Sequence, residues 1–380
     1  MNLSYSAAWR LVNVEGFDVK AAVLERFGQP LVLDELDVGD VAADEVLVRT
    51  VAVGLCHTDR TMQLGGQPLP LPLLLGHEAA GVVERVGSAV TSLRPGDHVV
   101  TCASAFCGEC EWCTRGLLQH CVAKRRTRPE GRPPRLSRHG EPVNVLTGLG
   151  AFASEMLVYE RALAKVPEEI PLDRAALLGC AVLTGVGAVR NRARVASGET
   201  VAVVGCGGVG LNVVQGARLC GAARIVAVDL LPAKLEQALR FGATDVVDAS
   251  RGDAVEQVLE LTGGGVDHAF EVVGRPATIE QAFAMTRTFG TATVVGVTRP
   301  GEVARIPTDA LLQEKRLQGS RMGSSRFRLD IELYSRLYLA GRLMLDELVS
   351  ESIDLADINR GLEALDGSDL VRSVVIIDQR

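Results

Sequence analysis

Hydrophobic and polar positions fall into two rhythms along the chain. In the first third, short runs rich in Val and Ala are bounded by Gly, Pro or Asp. Ala21–Leu24, Glu45–Val53, Ala80–Val86 and His98–Thr101 are such runs, and they predict β-strands. Val122 to Thr147 holds four prolines and little apolar pattern, which predicts a long loop. From about Leu183 strand and helix alternate. Strands are predicted at Val201–Val204, Arg224–Asp229, Asp245–Val247, His268–Val272 and Ala292–Val297, with a sixth at Leu317–Met322. Helical spacing covers Val209–Leu219 and Pro232–Phe241. This alternation predicts an α/β fold with a doubly wound parallel sheet and helices on both faces. From about Arg326 the pattern is mixed again, and no internal repeat is found.

Length supports a division into domains, because 380 residues exceed what one core usually holds. A net charge of -7 gives no overall field for nucleic acid or an anionic membrane. No apolar run reaches the ~18 residues of a membrane span. The first twenty residues include Glu15 and Asp18 and lack a secretory apolar core, so a cytoplasmic protein is expected. In that compartment nine cysteines point to metal or catalysis rather than disulfides.

Four of them are Cys107, Cys110, Cys113 and Cys121. Four thiolates so close can surround one Zn²⁺ with no open position, which stabilises a loop and does no chemistry. A redox pair would need only two of the four. Cys56, His77 and Cys180 lie in Gly54-Leu-Cys-His-Thr-Asp59, Gly76-His-Glu78 and Gly179-Cys180. Together they would leave a fourth zinc position open, as catalysis requires. Taken singly, each is as readily a packed core residue.

Val201–Val204 runs into Gly205-Cys-Gly207-Gly208-Val209-Gly210, a G-x-G-x-x-G between strand and helix. Such glycines allow the tight turn and let backbone amides at a helix N-terminus meet a pyrophosphate. Asp229, 19 residues beyond Gly210, ends the next strand. Its carboxylate can accept both ribose hydroxyls and would repel a 2′-phosphate, which favours NAD over NADP. A helix N-cap is its alternative role.

In this order the motifs resemble those of the zinc-dependent medium-chain alcohol dehydrogenases, over about residues 19 to 380. The resemblance implies a mostly β, GroES-like catalytic domain at residues 1–182, an NAD-binding Rossmann domain at 183–324, and a C-terminal part of the catalytic domain at 325–380. It implies two zinc ions per subunit, one structural and one catalytic. The catalytic ion would be held by Cys56, His77 and Cys180, with Glu78 beside it and Asp59 orienting His77. It would act as a Lewis acid on an alcohol or carbonyl oxygen while hydride moves between substrate and NAD. Thr58 stands where the family hydroxyl takes the alcohol proton. Thr61 occupies the place of the usual relay histidine, leaving His57 as a candidate acceptor or pyrophosphate contact. Lys234 is placed near the adenosine ribose, Arg372 near the pyrophosphate and Thr184 on the nicotinamide side.

The resemblance further implies a homodimer, joined through edge strands near Ala292–Val297. It puts the segment Val122 to Thr147, with Lys124, Arg125, Arg126, Arg128, Arg132, Arg135 and Arg138, at the substrate mouth, where it would favour anionic alcohols or draw in the cofactor phosphates. Two rival functions stay open. One is NAD-dependent oxidation of thiol–formaldehyde adducts. The other is a non-catalytic nucleotide-binding protein on the same fold.

Overall fold

The computed structural model describes residues 18–67, 69–122, 128, 131–367 and 371–378. From Thr200 the chain builds a six-stranded parallel sheet. Its order is Asp245–Asp248, Arg224–Asp229, Thr200–Val204, Val266–Glu271, Thr286–Val294, Arg316–Gly319. Val201–Val204 and Ile225–Val228 are buried throughout, as parallel strands covered on both faces must be. The chain winds outward in both directions from the central Thr200–Val204 strand. That opens a crevice at the carboxyl ends of the strands.

Local chemistry sets the helix limits. Gly208–Cys220 stops where Gly221 takes φ +80°. Pro232 starts the Pro232–Phe241 helix at a position that needs no amide hydrogen, and Gly242 ends it. Asp253 caps Ala254–Thr262 by accepting from the amides of Val255 and Glu256.

Two expectations need correction. The strand carrying Ala292 begins earlier, at Thr286, because a register shift between Val266 and His268 puts a bulge in the pairing, with Phe289 at φ +64°. It pairs on both sides, so Arg316–Gly319 is the edge instead. In the second case, Val122 to Thr147 is not loop throughout. Leu136–Arg138 and Glu141–Pro142 form a hairpin about His139 and Gly140, and Asn144–Val145 pairs with Leu73–Leu74. Their short length hides them from any periodicity.

The rest of the chain forms two further, largely antiparallel sheets. Asp18–Leu24 and Val32–Val38 anchor one; Glu45–Gly54 and Glu78–Val86 anchor the other. Glu351–Asp354 and Ser373–Ile376 return from beyond the parallel sheet to pair beside Glu45–Gly54. One buried cluster joins Val100, Cys102 and Leu177 with Val201, Phe270 and Tyr334, so the two parts share a core. Between them lies a cleft of about 3430 Å³, several times a usual single-ligand pocket. Among the described residues no single helix is long and apolar enough to cross a membrane.

Candidate active site

Cys107, Cys110, Cys113 and Cys121 converge on one point. Their sulfur atoms stand 3.9 Å (107–113), 3.6 Å (110–113) and 3.9 Å (110–121) apart. A tetrahedron with ~2.3 Å zinc–sulfur bonds has edges of about 3.8 Å, whereas a disulfide brings sulfurs to about 2 Å. Backbone amides aim at the sulfurs: Cys107 N–H at Cys121 Sγ, and Glu109 and Cys110 N–H at Cys107 Sγ. Backbone donation from Cys113 and Val122 pulls the Cys110 thiol down to about 6, while burial pushes that of Cys113 up to about 12. The donor set therefore fits a closed zinc.

The second cluster gathers Cys56, His77, Glu78 and Cys180 from four places in the chain, with donor atoms all within 4.8 Å and every residue buried. Thr101 is the hub. Its hydroxyl donates to His77 O and accepts from Ala79 N–H. Its carbonyl lies 2.1 Å from where a Cβ on Gly179 would stand, so only glycine lets Cys180 reach the cluster. Asp59 Oδ1 receives His77 Nδ1 at 3.1 Å and the Gly76 amide at 3.0 Å. That fixes Nε2 toward the sulfurs, 3.5 Å from Cys180 Sγ. Zinc bonded to nitrogen and sulfur at ~2.1 and ~2.3 Å would separate them by about 3.6 Å. Two thiols, one oriented imidazole and a carboxylate fit that ion. Burial lifts Glu78 to about 7, and the Arg372 guanidinium lies 3.2 Å from its Oε2.

Gly205 takes φ +97°, and a Cβ on Gly210 would lie 1.9 Å from Gly205 O, so strand and helix meet as closely as a pyrophosphate cradle requires. Asp229 Oδ2 accepts from Cys206 N–H at 2.7 Å and Oδ1 from Leu231 N–H at 3.1 Å. Leu231, not Asp229, is the N-cap of the following helix. Asp229, Lys234, Gly205, Gly207, Gly208, Val209 and Gly210 all line the cleft. Arg372 joins the two centres. Its Nη1 donates to Leu55 O, and its buried Nε is unpaired, 3.0 Å from the β position of Gly208.

Cys56, Thr58, Thr61, Cys180 and Thr184 line the same cleft. His57 lines it too, with Nε2 3.0 Å from Leu365 O. Among the described residues of the Val122–Thr147 segment, Asn144 to Thr147 line the cleft but none of the basic ones does. Arg128 and Arg135 grip Glu45, and Arg138 pairs with Glu25 and Asp34. Arg132 is exposed away from the cleft lining; Lys124, Arg125 and Arg126 lie outside the described residues.

Sequence reasoning missed several contributors. Trp112, Leu117 and His120 of the four-cysteine lobe form a cleft wall, with Trp112 and His120 rings 5.9 Å apart. Glu271 is fully buried and accepts from the amides of Val273 and Gly274 and the Thr278 hydroxyl, shaping a loop that lines the cleft. An acid at a strand end was the available signal. Arg321 also lines the cleft; the expected strand Leu317–Met322 enclosed it, whereas the strand ends at Gly319.

The family model for the alcohol dehydrogenase GroES-like domain matches residues 42–168, and that for zinc-binding dehydrogenases matches 208–336. An S-(hydroxymethyl)glutathione dehydrogenase of Synechocystis sp. is 38% identical over 364 residues, covering 94% of this chain and 99% of that protein. The crystal structure of an alcohol dehydrogenase zinc-binding domain protein from Burkholderia ambifaria superposes with a TM-score of 0.92 at 36% identity, over 96% of this chain and all of that one. Benzyl alcohol dehydrogenase from Acinetobacter calcoaceticus follows at 0.89 and 32%, over 95% and 100%.

Proposed function

Because the chain belongs to the zinc-dependent alcohol dehydrogenase family, whose oxidoreductases use zinc and NAD, we propose that Cys56, His77 and Cys180 hold its catalytic zinc and that Thr58 carries the proton step. The carrying observation is that Cys56 and Cys180 line the same cleft as the Gly205–Gly210 cradle and Asp229. Hydride donor and acceptor can thus be held face to face. We assign the protein-chain divisions as 1–182, 183–324 and 325–380.

Bound zinc supplies Lewis acidity to the alcohol or carbonyl oxygen. The chain's residues do the rest. Asp59 holds His77 in the tautomer that keeps Nε2 free of hydrogen. Glu78 and Arg372 neutralise each other beside the site. Thr58 Oγ1 accepts the alcohol proton; Thr61 cannot pass it on as an imidazole would, so it leaves through His57 or solvent. Gly207 to Gly210 amides and Arg372 receive the pyrophosphate, Asp229 the adenosine ribose with Lys234 nearby, and Thr184 the nicotinamide side.

A panel of primary, allylic and aromatic alcohols, read by NADH absorbance, tests this reading. Protein with zinc in both centres that reduces no NAD with any of them would defeat it. A chelator should abolish turnover and added Zn²⁺ restore it.

Likeness to S-(hydroxymethyl)glutathione dehydrogenases favours a second reading, oxidation of thiol–formaldehyde adducts. A strict requirement for a low-molecular-weight thiol in formaldehyde turnover would establish it. We also infer a cytoplasmic homodimer. Among the described residues the edge strand Arg316–Gly319 has no partner on its outer side, and it is flanked by Phe289, Leu311 and Leu312, exposed by 60, 48 and 87%. A twofold pairing of two such edges would cover them.

A further inference from the structure

Resting on the dehydrogenase reading, we propose that Arg321 selects the substrate by pairing with a carboxylate or phosphate at the end remote from the reacting carbon. Met62, Leu69, Leu73, Ala103, Leu117 and Leu146 give the cleft an apolar stretch of lining. Arg321 follows the last parallel strand, whose carboxyl end faces the crevice. Asp229 marks the opposite, adenosine side of the sheet, so Arg321 stands on the nicotinamide side.

Neighbouring contacts bring it to the metal cluster. A Cβ on Gly323 would lie 2.1 Å from Leu183 O and 2.9 Å from Thr184 O, and Ser325 Oγ donates to Leu183 O. The Thr184 amide in turn donates to Cys180 O. On the other side, Met322–Ser324 packs on Leu118–His120, the wall of the four-cysteine lobe. The Met322–Ser324 turn is thus held between the helix that starts at Cys180 and that wall, and Arg321 leads into it.

Its charge is available. Arg321 is exposed and has no ion-pair partner among the described residues. The acids lining the cleft are occupied elsewhere: Asp366 by Arg60, Asp229 by two amides, Glu302 by the Arg299 amide. Arg372 is engaged by Glu78 and Leu55, and Arg190 by Asp330; of the other arginines in the lining, Arg321 is the one at the start of the turn that packs against both the Cys180 helix and the wall of the four-cysteine lobe. NAD does not need Arg321 for its phosphates, because the glycine cradle and Arg372 lie elsewhere. A guanidinium suits a planar carboxylate or a phosphate by two parallel hydrogen bonds.

The test is kcat/KM with NAD for benzyl alcohol against 4-carboxybenzyl alcohol, and for 1-propanol against 3-hydroxypropyl phosphate. Wild type should favour one anionic probe by about tenfold or more, and the favoured pair tells carboxylate from phosphate. The preference should shrink as salt rises, because the Debye length falls below ~8 Å beyond physiological ionic strength. R321M should bring the ratio close to one, R321E should invert it and R321K should keep part of it. Zinc content and thermal midpoint serve as folding controls. Turnover of neutral alcohols with no anionic preference, or a preference that survives R321M and R321E, would overturn the proposal and leave the dehydrogenase reading standing. No turnover of any alcohol would instead defeat that reading.

Discussion

Asp229 gives the sharpest test of cofactor choice. It is half-buried, and both its oxygens already hold backbone amides, from Cys206 at 2.7 Å and Leu231 at 3.1 Å. The carboxylate cannot swing away from a 2′-phosphate without giving these up. For a phosphate with about two charges at ~5 Å, Coulomb's law gives ~7 kcal/mol at an effective dielectric of ~20, and half that at ~40. Partial exposure argues for the lower figure. At ~1.4 kcal/mol per decade, ~3 kcal/mol is about two decades in favour of NAD. Asp229→Asn removes the charge and keeps one oxygen acceptor, so the NAD:NADP ratio of kcat/KM should fall at least tenfold. Asp229→Gly removes the acceptors too. It should narrow the ratio equally but lower the thermal midpoint, since an unmet buried amide costs about 1–3 kcal/mol. The assay is initial-rate kinetics with both cofactors, plus thermal unfolding. Equal specificity constants in the wild type, or a ratio unmoved in Asp229→Asn, would refute the charge argument.

Metal analysis should find two zinc ions per chain; Cys110→Ser should lower stability and zinc content by one, whereas Cys56→Ser should abolish turnover in a folded protein. Thr58→Ala should cut kcat for alcohol oxidation by about a hundredfold, the usual worth of a positioned proton acceptor, and full kcat across the pH range would remove that role. Glu45→Gln should cost about 3 kcal/mol in denaturant unfolding at pH 7, because it strands Arg128 and Arg135 with 8 and 6% side-chain exposure. Burial would raise the Glu45 pKa, but hydrogen bonds from Arg128 and Arg135 outweigh it and hold it below 4.5. Its contribution is therefore full above the unfolded value and lost as pH falls through the folded one, so the gap from Glu45→Gln should narrow in acid. Light scattering should give two subunits, and Leu312→Glu should weaken the pair.

Much of the parallel sheet was legible, because fully buried strands and amphipathic helices leave long, regular patterns. Arg224–Asp229 and Pro232–Phe241 fall where their patterns put them. The short pairings at Leu136–Arg138 and Asn144–Val145 were not, since two or three residues carry no period. The four-cysteine site was legible from spacing because its ligands are local. The Cys56, His77 and Cys180 set was legible only through the order of its motifs. Distant ligands meet through Thr101 and Gly179, and no sequence rule names such a hub. At Arg128, Arg135 and Arg138 the charge of the basic segment misled for a physical reason. Local charge counts ignore partners far along the chain, and Glu45, Glu25 and Asp34 pair with these three arginines from another part of it.

The closed cysteine centre is better understood as part of the substrate cleft than as a remote brace. Its ligands span only residues 107 to 121, yet the chain between and beside them supplies Trp112, Gly116, Leu117, Gln119 and His120 to the cleft. So short a segment has little apolar core of its own; Cys113 and Cys121 are among its few buried apolar positions. Four metal bonds would replace the missing core and fix the wall where it meets Met322–Ser324. That contact is also where the parallel sheet's nicotinamide end approaches the catalytic half. A loosened lobe would therefore displace the wall and the Arg321 loop together. Loss of a metal that does no chemistry should then appear in KM for the substrate before it appears in the hydride step.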